Sequence, residues 1–380
     1  MKMHSAPVLP VCMLAFSLLA CGSPATAPAA PLPEPFSLES RSFRLGFTPF
    51  PHDISQEAVD FTYAHIAADA DLIAIHLDNG IPWPEALSGT DFDPHIMQQW
   101  EQDRSHIPND HAVYVAITPV SIGRDSLAPY RAAADDMPLP APWDAARFDD
   151  PDVKAAWLNY AERVIEYFQP DYLNIGIEVN LLMQNAPEKW TEYLNLHRSV
   201  YTELKARHPG LPVFVSITGP DLLDGYTDAD HAAQMQALQD IVPYSDYFAL
   251  SLYPFMTAYG TDYPETMWAD LWSLNPGKPI AIAESGMIAE TLELPSYGLR
   301  FDADASDQQR FIADLFAQAQ EQRFVFVVNF VLRDYDPLWR KMGRIEWHAV
   351  WRDTGLYDEA GNPRPGLEIW RAALAMPYRP

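Results

Sequence analysis

Two glutamates follow apolar runs that read as buried strands. Glu178 closes Leu173-Asn174-Ile175-Gly176-Ile177, and Glu284 closes Pro279-Ile280-Ala281-Ile282-Ala283. A carboxylate in such a place is costly unless it is paired, hydrogen-bonded or facing a wet cleft. Two carboxylates facing one cleft, with proton affinities held apart, are the equipment for breaking a glycosidic bond. One protonates the leaving oxygen and the other attacks the anomeric carbon. For either glutamate alone, a structural ion pair with Arg or Lys is the competing reading. Tyr253 closes a third run, Phe248 to Leu252. It is placed to donate a hydrogen bond to Glu284 and keep it ionised. The competing reading of Tyr253 is a rim aromatic before Pro254.

These residues need a frame that brings distant strand ends together. Short β-branched and aromatic runs recur near 43–50, 71–78, 112–118, 172–179, 212–218, 247–253, 279–284 and 324–331. Longer amphipathic segments separate them, including 55–68, 152–168, 187–207, 306–322 and 366–374. The strands are nearly continuous apolar runs, as expected when helices cover the outer face. Eight strands alternating with helices predict an α/β fold, a single (β/α)8 TIM barrel. An open doubly wound sheet would carry a Gly-rich phosphate turn after the first strand. Thr48-Pro49-Phe50-Pro51 offers none. In a barrel the chemistry sits at the C-terminal strand ends. Strand two then contributes His76 and Asp78, strand four Glu178 and Asn180, strand six Tyr253, strand seven Glu284 and strand eight Asn329.

At these strings the chain resembles a known group. Acid/base Glu on strand four and nucleophile Glu on strand seven is the plan of glycoside hydrolase clan A. Ile175-Gly176-Ile177-Glu178-Val179-Asn180, Leu250-Ser251-Leu252-Tyr253-Pro254-Phe255 and Ile282-Ala283-Glu284-Ser285 resemble segments of family 53, the endo-β-1,4-galactanases. The stretch from Asp353 to Tyr357, then Gly361 to Pro365 and Trp370, is similar to the tail of many clan barrels. The resemblance implies a retaining hydrolase of β-linked oligo- or polysaccharides, with Glu178 as acid/base, Glu284 as nucleophile and no cofactor. Two positions depart from the pattern. Most of the clan has Asn before the acid/base, binding the sugar 2-hydroxyl; here it is Ile177, a loss shared with family 113. Residues two apart on a strand share a face, so Asn180 is expected at the mouth as a substitute. Much of the clan has an Arg on strand two supporting the nucleophile. This chain has His76, and Arg44 on strand one is a second candidate for that charge, set against a buried ion pair.

Sugar faces stack on exposed aromatics. Of 11 Trp, Trp83, Trp143, Trp339, Trp347 and Trp351 follow strands on the functional side. At least two are expected to line the cleft, with Trp83 and Trp351 as the substrate-binding candidates. Trp157, Trp190 and Trp370 read as core. A metal-dependent hydrolase is the weaker alternative: His52, His76 and Asp78 could meet, but strands five and six contain no His, and no metal is expected. A surface lipoprotein that binds glycan without cutting it is the other alternative.

The first 20 residues read as an export signal. The apolar run from Val8 to Ala20 is too short for a permanent span. It ends Leu18-Leu19-Ala20-Cys21-Gly22, which is similar to a bacterial lipobox. Cys21 is the expected acylation site, anchoring the chain to a lipid bilayer. An ordinary signal peptide with a chance cysteine is the alternative. Residues 21–40 are rich in Pro and Ala and read as a tether; 41–380 read as the catalytic domain. Gly22 hints at sorting to the outer membrane, and a monomer is expected. The second cysteine, Cys12, leaves with the signal, so disulfide scaffolding and thiolate chemistry drop out. The net charge of −27 excludes nucleic acid as a partner and disfavours polyanionic substrates.

Overall fold

The computed structural model describes residues 40–380. The expected signal peptide, Cys21 and all but the last residue of the tether lie outside the described residues.

Strands β1 (Arg44–Phe47), β2 (Leu72–Leu77), β3 (Ala112–Ile117), β4 (Tyr172–Asn174), β5 (Val213–Phe214 and Ser216–Thr218), β6 (Phe248–Leu252), β7 (Ile280–Ser285) and β8 (Phe326–Asn329) are all parallel. Their spatial order is 5-4-3-2-1-8-7-6-5. The sheet closes because its two edges are the two halves of β5, interrupted only at Val215. The expected eight-stranded barrel is therefore what forms. Eight helices alternate with the strands: Gln56–Asp69, Pro94–Ser105, Pro151–Phe168, Trp190–Arg207, His231–Ile241, Thr266–Ser273, Ala305–Glu321 and Pro365–Leu374. The helix signals are local. Asp93 and Asp304 cap the second and seventh, and Asp304 with Asp307 forms a capping box. The last helix is tied back to the first by Trp370, whose indole donates to Asp69 O at 2.7 Å.

Inside the barrel, strand periodicity sends alternate residues inward. Leu72 and Ala74, Ala112, Tyr114 and Ala116, Ala281 and Ala283, and Phe326 and Val328 form one buried set with Ile177 and Phe214. Its floor is aromatic: Tyr114, Phe214 and Tyr172 pack around Phe326 with ring centroids 5.0 to 6.2 Å away. Above the floor lies a polar layer. Asn174 donates to Tyr114 Oη at 3.1 Å and to Ser216 Oγ at 3.2 Å. The interior is thus plugged below and left polar only at the C-terminal mouth.

Regular pairing in β4 stops at Asn174, five residues before the expected end at Val179. The chain then bends, because the Asn174 side chain accepts the Gly176 N–H at 2.9 Å. Gly176 is required here: a Cβ would lie 2.6 Å from Val179 Cγ1 and 2.8 Å from Tyr193 Oη. This bend carries Glu178.

Candidate active site

Both glutamates reach the mouth through a backbone irregularity. Ile177 points into the barrel, so strict alternation would turn Glu178 outward. Instead Glu178 adopts φ = +50° and its N–H donates to Ser216 Oγ at 3.1 Å. Left-handed backbone at a non-glycine residue costs roughly 1–3 kcal/mol and persists only where its surroundings hold it. On β7, Ala281 and Ala283 point inward, so alternation would also turn Glu284 outward. A bulge intervenes: Leu250 pairs with Ile282, but Ser251 pairs with Glu284, leaving Ala283 as the extra residue. Bulges re-aim side chains in this way. The result is two glutamates only 3% and 4% exposed, close enough that the charge of one raises the proton affinity of the other.

Glu284 accepts from Tyr253 Oη at 3.0 Å. His76 Nδ1 lies 3.9 Å from its other oxygen. Burial, then the charge of Glu178, pushes the Glu284 carboxyl well above the usual range; Tyr253 and Arg124 oppose this. Burial, helped by Arg124, lowers His76 to about 3, so it faces Glu284 as a neutral imidazole. Asp78 is half-buried, but its Oδ1 is sealed off without a hydrogen-bond partner. Burial pushes Asp78 up to about 7 against the pull of Arg124.

Other expected residues fall elsewhere. Asn180 does not face the mouth. It is fully buried, donating to Thr218 Oγ1 at 2.7 Å and Gln234 Oε1 at 2.8 Å and accepting from Thr218 N at 2.9 Å. Its amide ties the turn after β4 to the end of β5 and to the fifth helix, away from the mouth. Arg44 begins β1, at the end of the barrel opposite Glu284. There it pairs with Asp71 at 3.5 Å and stacks over Tyr378, which makes it the structural ion pair. Trp83 is fully buried, stacked on Trp143 and donating to Ala128 O at 2.9 Å. It belongs to the core, because the indole fills the gap beneath the loop after β3. Asn329 is buried at the end of β8 and donates to Val331 O at 2.7 Å. Trp351 does reach the mouth, packing edge-on against Tyr253 at 4.8 Å. Among the described residues the large exposed aromatics are tyrosines. Tyr259 packs on Tyr226, and Tyr297 on Trp347, in loops after β5 to β8.

Sequence reasoning missed Arg124. It sits at the tip of a hairpin-like loop after β3 and is 1% exposed. Its Nη2 lies 3.4 Å from Glu178 Oε2. The signal was available: a Gly123-Arg124-Asp125 turn on the functional face, seven residues past the last residue of β3. Beside the mouth, a cavity of about 390 Å³ lies between Phe50, His76 and Asn79 and the helix residues Gln98, Gln99 and Gln102.

No family model and no curated protein matches the sequence. Solved structures match by fold. An exo-β-1,4-mannosidase from Opitutaceae bacterium strain TAV5 superposes with a TM-score of 0.61 at 12% identity, over 89% of this chain and 60% of that one. A GH5_18 protein from Streptomyces cattleya, in complex with GlcNAc, gives 0.60 at 15% identity, over 90% and 83%. A GH10 endoxylanase from a sugarcane soil metagenome gives 0.52 at 12% identity, over 87% and 97%. This chain therefore spans less than two thirds of the mannosidase's length. It shares the barrel fold of these clan A glycoside hydrolases.

Proposed function

We propose that this chain is a retaining glycoside hydrolase acting on β-linked oligo- or polysaccharides. The observation that carries the reading is the Glu178–Glu284 pair. Both carboxylates are buried at the mouth of a barrel, each is turned there by a backbone irregularity, and they are electrostatically coupled. Glycoside hydrolases dominate the shared-fold structures, which fits the same reading.

In the first step a Glu284 oxygen attacks the anomeric carbon while Glu178 gives its proton to the glycosidic oxygen. The carbon–oxygen bond breaks, the aglycone leaves as an alcohol, and the glycone is held as an ester on Glu284. In the second step Glu178, now a carboxylate, takes a proton from water as that water attacks the same carbon. The ester breaks and Glu284 is restored. Glu284 serves as the nucleophile when the shared proton sits on Glu178, because the charge that raises Glu284 is then gone and the Tyr253 hydroxyl at 3.0 Å stabilises its anion against burial. His76, Asp78 and Trp351 are the nearest candidates for sugar contacts. The cavity beside His76 is lined by the amides Asn79, Gln98, Gln99 and Gln102, the aromatic Phe50 and the carboxyls Asp53, Asp103 and Asp135, a wall that suits the hydroxyls of an uncharged polyol and disfavours an anion. Its size lies at the low end of the ~300–1,000 Å³ typical of small-molecule sites.

In this reading the enzyme works as a monomer at the cell envelope, anchored through acylated Cys21 and sorted to the outer membrane. Cys21→Ala is expected to release it from the membrane fraction with its activity intact. The deciding experiment is a product profile on mannan, xylan, galactan and glucan, with anomeric configuration followed by NMR. Glu178→Gln and Glu284→Gln are each expected to lower kcat by about 10²–10⁴. Net inversion would overturn the retaining mechanism. Retention on an affinity gel without cleavage would make the chain a glycan-binding protein.

A further inference from the structure

We propose that Arg124, from the loop after β3, is a positioning residue that holds Glu178 and supplies the catalytic pair with the positive charge absent from β2. The inference rests on the hydrolase reading.

Three observations support it. First, Arg124 makes the contact itself: its Nη2 is 3.4 Å from Glu178 Oε2, with both side chains buried. Second, both partners are non-glycine residues with left-handed backbone, φ = +51° at Arg124 and +50° at Glu178. Such strain persists only where the surroundings hold it, which fits a fixed relative placement of the two partners. Third, the loop is braced from several sides. Ser121 O accepts from Arg124 N at 2.9 Å and from Arg124 Nη1 at 3.1 Å. Asn185 donates to Gly123 O at 3.0 Å, Lys189 to Asp125 O at 2.6 Å, and Trp83 to Ala128 O at 2.9 Å. Two of these braces come from the segment that follows Glu178, so the loop is tied to the chain that carries the glutamate.

The electrostatics give this placement a chemical consequence. Groups near the pair include His76 on β2, Asp78 just after it, Tyr253 after β6 and Asp221 after β5. His76 is neutral, and the two aspartates add negative charge or none. The field of Arg124 reaches Glu284, Asp78 and His76 as well as Glu178. Its guanidinium, 3.4 Å from Glu178 Oε2, therefore faces the carboxylate left behind when the aglycone departs. It also stabilises the Glu178 carboxylate that activates water in the second step.

The test compares pH profiles of kcat/KM for wild type, Arg124→Gln and Arg124→Lys on an aryl β-glycoside. Loss of the charge removes stabilisation of both carboxylates. In Arg124→Gln both limbs are expected to move to higher pH, the basic limb by roughly 1–3 units. In Arg124→Lys both limbs stay near wild type while the plateau falls. A fallen plateau with unmoved limbs in Arg124→Gln, or displaced limbs in Arg124→Lys, overturns the inference. If the Gln variant does not fold, displaced limbs in the Lys variant still overturn the inference. Titration of ¹³C-labelled Glu side chains, assigned with Glu178→Gln and Glu284→Gln, gives a readout without turnover. If wild type cleaves no glycan, the hydrolase reading fails. The Arg124 assignment then still stands or falls on whether the carboxyl midpoints rise in Arg124→Gln.

Discussion

At the residue scale, the site stores protons that solvent-exposed carboxyls would lose. Asp78 is held at about 7, far above its ordinary 3.8. The unfolded chain releases that proton near pH 4, whereas the folded chain keeps it to about pH 7. Between those values the native state binds more protons, so this residue's contribution to stability falls as pH rises. Asp78→Asn is accordingly expected to raise the melting temperature at pH 7–8 and leave it nearly unchanged at pH 4. The gain is on the order of 2 kcal/mol, discounted because the residue is half-buried. A gain that persists at pH 4 would argue against this origin. Tyr253→Phe tests Glu284 in a complementary way. Without the hydroxyl at 3.0 Å, the Glu284 anion loses a donor and its proton affinity rises further. The acid limb of kcat/KM is expected to move up by about one pH unit while the basic limb stays.

At the element scale, function depends on two places where strands stop being regular. Gly176 permits the bend that carries Glu178. In Gly176→Ala the added methyl must displace Val179, Tyr193 or the strand itself, at about 1–3 kcal/mol. A lower melting temperature and a lower kcat are expected together; a stable variant with full activity would show that the bend tolerates a side chain. The rim loops form a second element. Tyr259 and Tyr297 are 42% and 44% exposed, and each is backed by another aromatic. They suit stacking on sugar units beyond the scissile bond. Tyr259→Ala and Tyr297→Ala are expected to raise KM for polysaccharide several-fold and leave KM for a short aryl glycoside unchanged. Equal effects on both substrates would place these residues outside the binding track.

At the scale of the whole molecule, the net charge of −27 makes a repulsive field for anionic glycans. Neutral polysaccharide is expected to be cleaved at a rate nearly independent of salt. A carboxymethylated version of the same polymer is expected to be cleaved slowly at low salt and faster as the field is screened. If salt leaves the ratio of the two rates unchanged, the field has no role in substrate choice.

The sequence by itself determined the barrel, because inward and outward layers leave apolar runs at each strand and helical periods between them. It also determined that Glu178, Glu284, His76 and Tyr253 lie at or just past the C-terminal ends of strands in one closed sheet, since those ends gather at one mouth whatever the loops do. Only the tertiary structure decided where the side chains point. By strand parity alone both glutamates face the helices, next to inward Ile177 and Ala283. A positive φ in one case and a bulge in the other turn them inward, and neither is written in a period-two pattern. Sharing a face with Glu178 was expected to bring Asn180 to the mouth as well, and the bend after Asn174 buried it instead. Arg124 lay outside any periodic argument, because a loop brings it to Glu178 across 54 residues of chain.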